Sequence, residues 1–118
     1  MKTAYAEISP FVTMDGSVIR ELMHPARHAP SAMSFAEATI DPGDATLLHF
    51  HRNSEEIYHV TLGMGQMRLG GVAFRICRGD TITIPPGTPH NVTNTGDEAL
   101  KILCVCHPPY ADADTALL

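Results

Sequence analysis

Between Asp44 and Leu62 the chain reads Asp-Ala-Thr-Leu-Leu-His-Phe-His-Arg-Asn-Ser-Glu-Glu-Ile-Tyr-His-Val-Thr-Leu. Side chains alternate faces along an extended strand, so His49 and His51 point one way and Phe50 the other. Two imidazoles then converge on one point. Glu56 opens the next β-type run and returns a carboxylate toward that point across a short loop, and His90, after a Pro-Gly turn, brings a third imidazole from a more distant strand. Three neutral imidazoles and one carboxylate suit Fe, Mn, Ni, Cu, Co or Zn, whereas Mg or Ca would prefer more oxygen donors. One divalent transition metal ion per chain is therefore expected. A single carboxylate leaves such an ion with a net positive charge, which favours anionic or enolate-like ligands in its open positions.

Other reactive side chains are weighed against plainer roles. Tyr58 shares the face of Glu56 and is expected to enter the cavity, where its phenol either donates a proton to a bound ligand or fills space with its hydroxyl satisfied. Cys104 and Cys106 share a face with Leu100 and Ile102 on the last long run; of the two, Cys104 is the candidate to border the metal pocket, against the commoner role of a small buried hydrophobe. His59 is out of phase with Glu56 and should point away from the pocket, while His24, His28 and His107 are expected at the surface or in an interface. Arg20 and Glu21 read first as solvated charge on an edge strand, the alternative being that they bind a carboxylate or substrate oxygen across a dimer contact. Met64, Met67, Leu69, Phe74 and Ile76 are expected in the core or in an apolar pocket wall.

The elements that must carry these residues are short. Nine glycines and nine prolines fall between β-type runs at intervals of about eight to twelve residues, the punctuation of an all-β sandwich or barrel. Strands are expected at 34–40, 45–51, 56–62, 66–69, 72–77, 81–84, 90–94 and 99–106, with a further one at 18–22. Asp41-Pro42-Gly43-Asp44 and Pro85-Pro86-Gly87-Thr88 place Pro second and Gly third, as a type II turn requires. Gly70-Gly71 reads as a two-residue hairpin and Asn94-Thr95-Gly96-Asp97 as a slightly longer one. The expected organisation is an N-terminal arm over 1–30 with an edge strand, a barrel over 31–110 and a C-terminal tail over 111–118.

Composition bounds the rest. A chain of 118 residues, 44% hydrophobic and 18% charged, is one ordinary domain, and its single core needs no disulfide staple. The net charge of −5, with no cluster of Lys and Arg, excludes a phosphate-neutralising surface, so no nucleic-acid partner is expected. No run approaches membrane-spanning length and the N-terminus lacks a signal-peptide pattern, so no membrane association and a cytoplasmic location are expected. Three cysteines, two of them one residue apart, fit free thiols in a reducing compartment.

Two spaced patterns identify a resemblance. Gly43, five residues, His49, one residue, His51, four residues, Glu56, six residues, Gly63 resembles the first motif of the cupin family. Gly79, five residues, Pro85, one residue, Gly87, two residues, His90, three residues, Asn94 resembles the second. The fifteen residues between them, Met64 to Arg78, look like the short spacer of small microbial single-domain cupins, and residues 17–25 and 103–110 look like the flanks of one such bacterial group. Strand parity and the six-residue gap to Gly63 favour Glu56 over Glu55. The resemblance implies a double-stranded β-helix (a jelly-roll barrel), a metal held by His49, His51, Glu56 and His90, and a homodimer, which would also cover the edges of an open sandwich.

Fold does not select a reaction, since the family includes isomerases, dioxygenases, lyases, decarboxylases and binding domains. The leading expectation is a metal-dependent cupin acting on a small oxygen-rich organic molecule. The alternative is a metal-containing module that binds a sugar or other small ligand without turnover. A chain without a second, DNA-binding domain favours the catalyst over a regulator. A purely structural metal is disfavoured, because structural sites are usually closed tetrahedra.

Overall fold

The punctuated runs become eleven strands in a computed structural model that describes residues 1–118. They are β1 (Phe11–Val12), β2 (Val18–Met23), β3 (Ser34–Ile40), β4 (His49–His51), β5 (Glu55–Leu62), β6 (Met64–Leu69), β7 (Val72–Cys77), β8 (Thr81–Ile84), β9 (His90–Asn94), β10 (Leu100–His107) and β11 (Thr115–Leu117). One sheet has the order β1-β2-β3-β10-β5-β8 and the other β11-β4-β9-β6-β7, with every pair antiparallel. The result is the all-β, double-stranded β-helix that the motifs implied. Its only helical segments are 3-10 turns at Tyr5–Glu7 and Asp112–Asp114, and no helix is long and apolar enough to cross a membrane.

The turns form as their chemistry dictates. Asp44 N donates to Asp41 O at 3.0 Å and Thr88 N to Pro85 O at 3.3 Å, with Gly43 and Gly87 at positive φ. Leu69 pairs with Val72 across the Gly70-Gly71 hairpin. Asn94 does more than turn the chain: Nδ2 donates to Ile40 O and Glu98 O at 2.9 and 2.8 Å, and Oδ1 accepts from Gly96 N at 2.9 Å. It thereby ties two strand ends together inside the barrel.

One expected strand is shorter than its pattern. Only His49–His51 of the run 45–51 joins the ladder, apart from an isolated bridge at Ala45. The intervening backbone takes other partners: Thr46 N donates to Val92 O, and Leu47 N to Asp15 O, leaving the Leu47 side chain 53% exposed. Conversely, β1 and β11 are paired strands of two and three residues, too short to show a period.

Strict alternation buries every second residue of β3, β5 and β10. Reading along their inner faces, β10 runs Leu100, Ile102, Cys104, Cys106; β3 runs Ile40, Ala38, Ala36, Ser34; and β5 runs Val60, Tyr58, Glu56, with partners in register. Three neighbouring strands thus grade from apolar to polar in the same direction. At the apolar end Val60, Met67, Ile76, Ile84, Leu100 and Ile102 are under 2% exposed, each such burial contributing roughly 1.5–3 kcal/mol. Met67 and Ile76 are core as expected, with Leu69 and Phe74 packed against it; Met64 is instead 38% exposed on the solvent side of β6.

Candidate metal centre

The polar end holds the histidines. His49 lies directly opposite His90 in the β4–β9 ladder, and His51 lies two residues along the same inner face, its strand pinned on the other side by β11. Ring centroids are 4.3 Å apart for His49 and His90, 5.2 Å for His49 and His51, and 5.5 Å for His51 and His90. One ligand-type nitrogen from each of the three lies within 4.8 Å of the others. Glu56 reaches across from the opposite sheet, with Oε1 at 3.3 Å from His51 Nε2 and 3.5 Å from His90 Nε2. All four side chains are buried, His90 completely.

Hydrogen bonds on the outer ring nitrogens fix which atoms face inward. His49 Nδ1 is 2.7 Å from Leu47 O and His90 Nδ1 is 2.9 Å from Thr88 O; carbonyl oxygens only accept, so both Nδ1 atoms carry hydrogen. His51 Nδ1 meets Thr115 Oγ1 at 3.0 Å, and that hydroxyl donates to Ala111 O at 3.0 Å, so it accepts from the imidazole. Three Nε2 lone pairs therefore point at one spot. This is the arrangement by which outer hydrogen bonds orient metal-ligating histidines.

The centre of the cluster has acceptors and no donor. Glu56 Oε1 and His90 Nε2 are buried without a hydrogen-bond partner, although they face each other. An orphaned buried acceptor costs on the order of 1–3 kcal/mol, and a cation between the two satisfies both. Burial by itself would raise the Glu56 carboxyl, but His51 and His90, whenever their Nε2 atoms carry a proton in place of a metal ion, and the Cys106 thiol hold it down at about 2, so it is an anion at neutral pH. Burial pushes the His49 imidazole down, and neighbouring His90 adds to the effect, which keeps the ring in its neutral, ligating form. The donor set fits a divalent transition metal.

The other sequence expectations divide. Tyr58 lines the cavity beside the histidines, its ring edge-on to His90 at 6.0 Å; burial, then the Glu56 charge, push its hydroxyl well up, so it stays protonated. Cys104 also lines the cavity, but Cys106 is the thiol at the site, donating to Glu56 Oε2 at 3.1 Å. One step along β10 carries the inner face from Cys104, opposite Tyr58, to Cys106, opposite Glu56. His59 points outward to Thr81 Oγ1, and His24, His28 and His107 are bound outside the cavity.

Two acids were not expected there. Asp15 has Oδ2 at 3.7 Å from His49 Nε2, while its Oδ1 accepts from Thr13 Oγ1, Ser17 N and Ser17 Oγ at 2.7–2.9 Å. Glu21, expected as solvated charge, is 5% exposed and lines the same cavity, because β2 lies inside the sheet between β1 and β3 and turns that face inward. Its neighbour Arg20 does face out, donating to Tyr5 O at 3.3 Å and to Ile8 O. The Thr-x-Asp-x-Ser pattern at 13–17 signals an Asp-capped turn, but nothing local says that the turn reaches His49.

Comparison with known proteins is consistent with this architecture. A family model described as "Cupin domain" matches residues 36–106. An uncharacterized protein of Methanocaldococcus jannaschii is 49% identical over 118 residues, covering 100% of this chain and 94% of that protein. The crystal structure of a predicted oxalate decarboxylase from Thermotoga maritima superposes with a TM-score of 0.79 at 29% identity, covering 92% of this chain and 99% of that one. Pac13 of Streptomyces, a nucleoside dehydratase, superposes at 0.82 with 18% identity, covering 100% of this chain and 90% of the other, a likeness of fold alone.

Proposed function

The chain belongs to the cupin domain family, and from that premise we propose that it is a metal-dependent cupin acting on a small oxygen-rich organic molecule, with one divalent transition metal held by His49, His51, His90 and Glu56. The observation that carries the reading is the pair of orphaned buried acceptors, Glu56 Oε1 and His90 Nε2, inside a ring of inward lone pairs. When bound, such an ion supplies Lewis-acid polarisation of substrate oxygens.

The chain's own residues prepare the place. Leu47 O, Thr88 O and Thr115 Oγ1 lock the three imidazoles in the ligating tautomer. Cys106 occupies Glu56 Oε2 and leaves Oε1 for the centre. Tyr58 keeps its proton and faces the cavity, positioned to donate it or a hydrogen bond to a ligand oxygen. The apolar residues behind, Val92 and Ile102 among them, exclude water on that side. The likeness to the Thermotoga protein, a predicted oxalate decarboxylase, supports a catalytic ion rather than a structural one. The homodimer stays part of the proposal, supported by exposed apolar residues on the short edge strands, Val12 on β1 and Leu117 on β11.

Elemental analysis of protein purified without added metal tests the central claim: close to one transition-metal ion per chain is expected, and a metal-free protein that also fails to bind added zinc, iron or manganese would overturn it. A quieter variant tests the outer hydrogen bonds. Thr115→Val removes the acceptor for His51 Nδ1 and is expected to weaken zinc binding roughly 10–100-fold in a chelator competition, with no change in fold.

A further inference from the structure

Glu21 has no role in the metal centre, yet it is built like a functional residue. Its side chain stands on β2 opposite Ala36, and Ala36 stands opposite Cys104, which stands opposite Tyr58. Two small side chains thus separate a carboxyl from a phenol along one row of the cavity wall. The carboxyl is 5% exposed, lines the cavity and leaves Oε1 without any hydrogen-bond partner. Burial raises this carboxyl, and the basic side chains that oppose the rise, His24 and Arg27, belong to the following loop and not to the cavity lining, with Arg27 stacked on the Phe11 ring.

The whole lining shares one property. It contains three carboxyls, Asp15, Glu21 and Glu56, and no lysine or arginine. A divalent ion at the histidines would be offset by Glu56 and Asp15 before any ligand arrives. A dicarboxylate entering there would meet no further cation, and its second carboxylate would be set among carboxyls alone, an arrangement that like-charge repulsion disfavours. A hydroxyl-bearing neutral ligand meets no such cost, and its hydroxyl hydrogen is the partner that Glu21 lacks.

We propose that Glu21 is a ligand-selecting residue whose buried carboxyl hydrogen-bonds a hydroxyl of an uncharged polyhydroxy molecule, so that the cavity takes neutral sugars or polyols in preference to dicarboxylates. This rests on reading His49, His51, His90 and Glu56 as a metal centre, and it reverses the anionic preference that the histidine–glutamate set alone implied.

The test is calorimetry of zinc-loaded wild type, Glu21→Gln and Glu21→Ala against a panel of ribose, xylose, glucose and glycerol, and against oxalate and malonate. Wild type is expected to bind at least one neutral member more tightly than either dicarboxylate. Glu21→Ala should lose on the order of 10-fold or more for that member, and Glu21→Gln, which keeps a hydrogen-bonding side chain, only a few-fold. Zinc stoichiometry should be unchanged in all three proteins, and thermal unfolding should show both variants folded. Oxalate binding that equals or exceeds that of every neutral ligand, a panel with no neutral binder, or a Glu21→Ala protein that binds as wild type does would each overturn the proposal. Failure of zinc to bind any of the proteins would instead count against the metal centre; the same comparison of wild type with Glu21→Ala, made on the metal-free proteins, would then decide the role of Glu21.

Discussion

A His51→Ala protein is expected to lose more than 100-fold in zinc affinity and to remain folded. Removing an outer hydrogen bond to a metal ligand costs about 10–100-fold, so removing the ligand itself costs more. It also leaves Glu56 Oε1 with one imidazole instead of two. The fold should survive, because the residues that are under 2% exposed and apolar, from Val60 to Ile102, sit at the other end of the barrel. His59→Ala is the control: it removes the same side chain from a site outside the cavity, bonded to Thr81, and should bind zinc as wild type does. The measurement is thermal unfolding with and without excess zinc. Wild type gains about 2.7 kcal/mol when zinc is at 100 times its dissociation constant, and His51→Ala should gain almost nothing under the same conditions. An unfolded His51→Ala protein would show that the ion holds the barrel together, and a zinc response equal to wild type would remove His51 from the ligand set.

The largest effect on stability is expected at Gly63. Its φ is +83°, and a Cβ there would lie 2.7 Å from Ala99 O and 3.1 Å from Leu100 Cα, both backbone atoms that cannot rotate away. Left-handed backbone costs an L-residue roughly 1–2 kcal/mol, and overpacking a tight contact about 1–3 kcal/mol more. Gly63→Ala should therefore cost about 2–5 kcal/mol in urea unfolding. Gly16 separates the two contributions, since φ is +89° but nothing lies within 4 Å of its would-be Cβ. Gly16→Ala should show the backbone cost alone. Equal losses at the two positions would mean that the approach to Ala99 is relieved by movement of the strand.

The parts of this molecule that were legible in the sequence are those governed by near neighbours. Strands at 34–40, 72–77, 81–84 and 90–94 have the bounds that alternation and turn residues predicted. The Pro-Gly turns and the Gly-Gly hairpin are equally local. The convergence of His49 and His51 follows from strand parity, and their approach to His90 from a ladder that joins distant segments. Asp15 and Glu21 were out of reach for a physical reason: β2, and the turn before it that holds Asp15, join the sheet through pairing with β3, so which face is covered depends on a distant neighbour, for Glu21 on Ala36 fifteen residues away. The same holds for Thr115, whose hydroxyl matters only because β11 docks on β4. Cys106 lost out to Cys104 because both share one face, and only the register with Glu56 separates them.

The gradient along β3, β5 and β10 separates what keeps the barrel folded from what meets a ligand. Free-energy changes made at well-separated positions usually add within about 0.3–0.5 kcal/mol. Substitutions at Ser34 and Glu21, which lie outside the core cluster, can therefore be combined with substitutions around Leu100 and Met67 without each choice constraining the other, whereas Cys104 packs in that cluster. A lineage built on this plan is free to exchange one substrate for another at the mouth while inheriting its floor unchanged, and repeated retooling of a single small scaffold is the outcome such a layout invites.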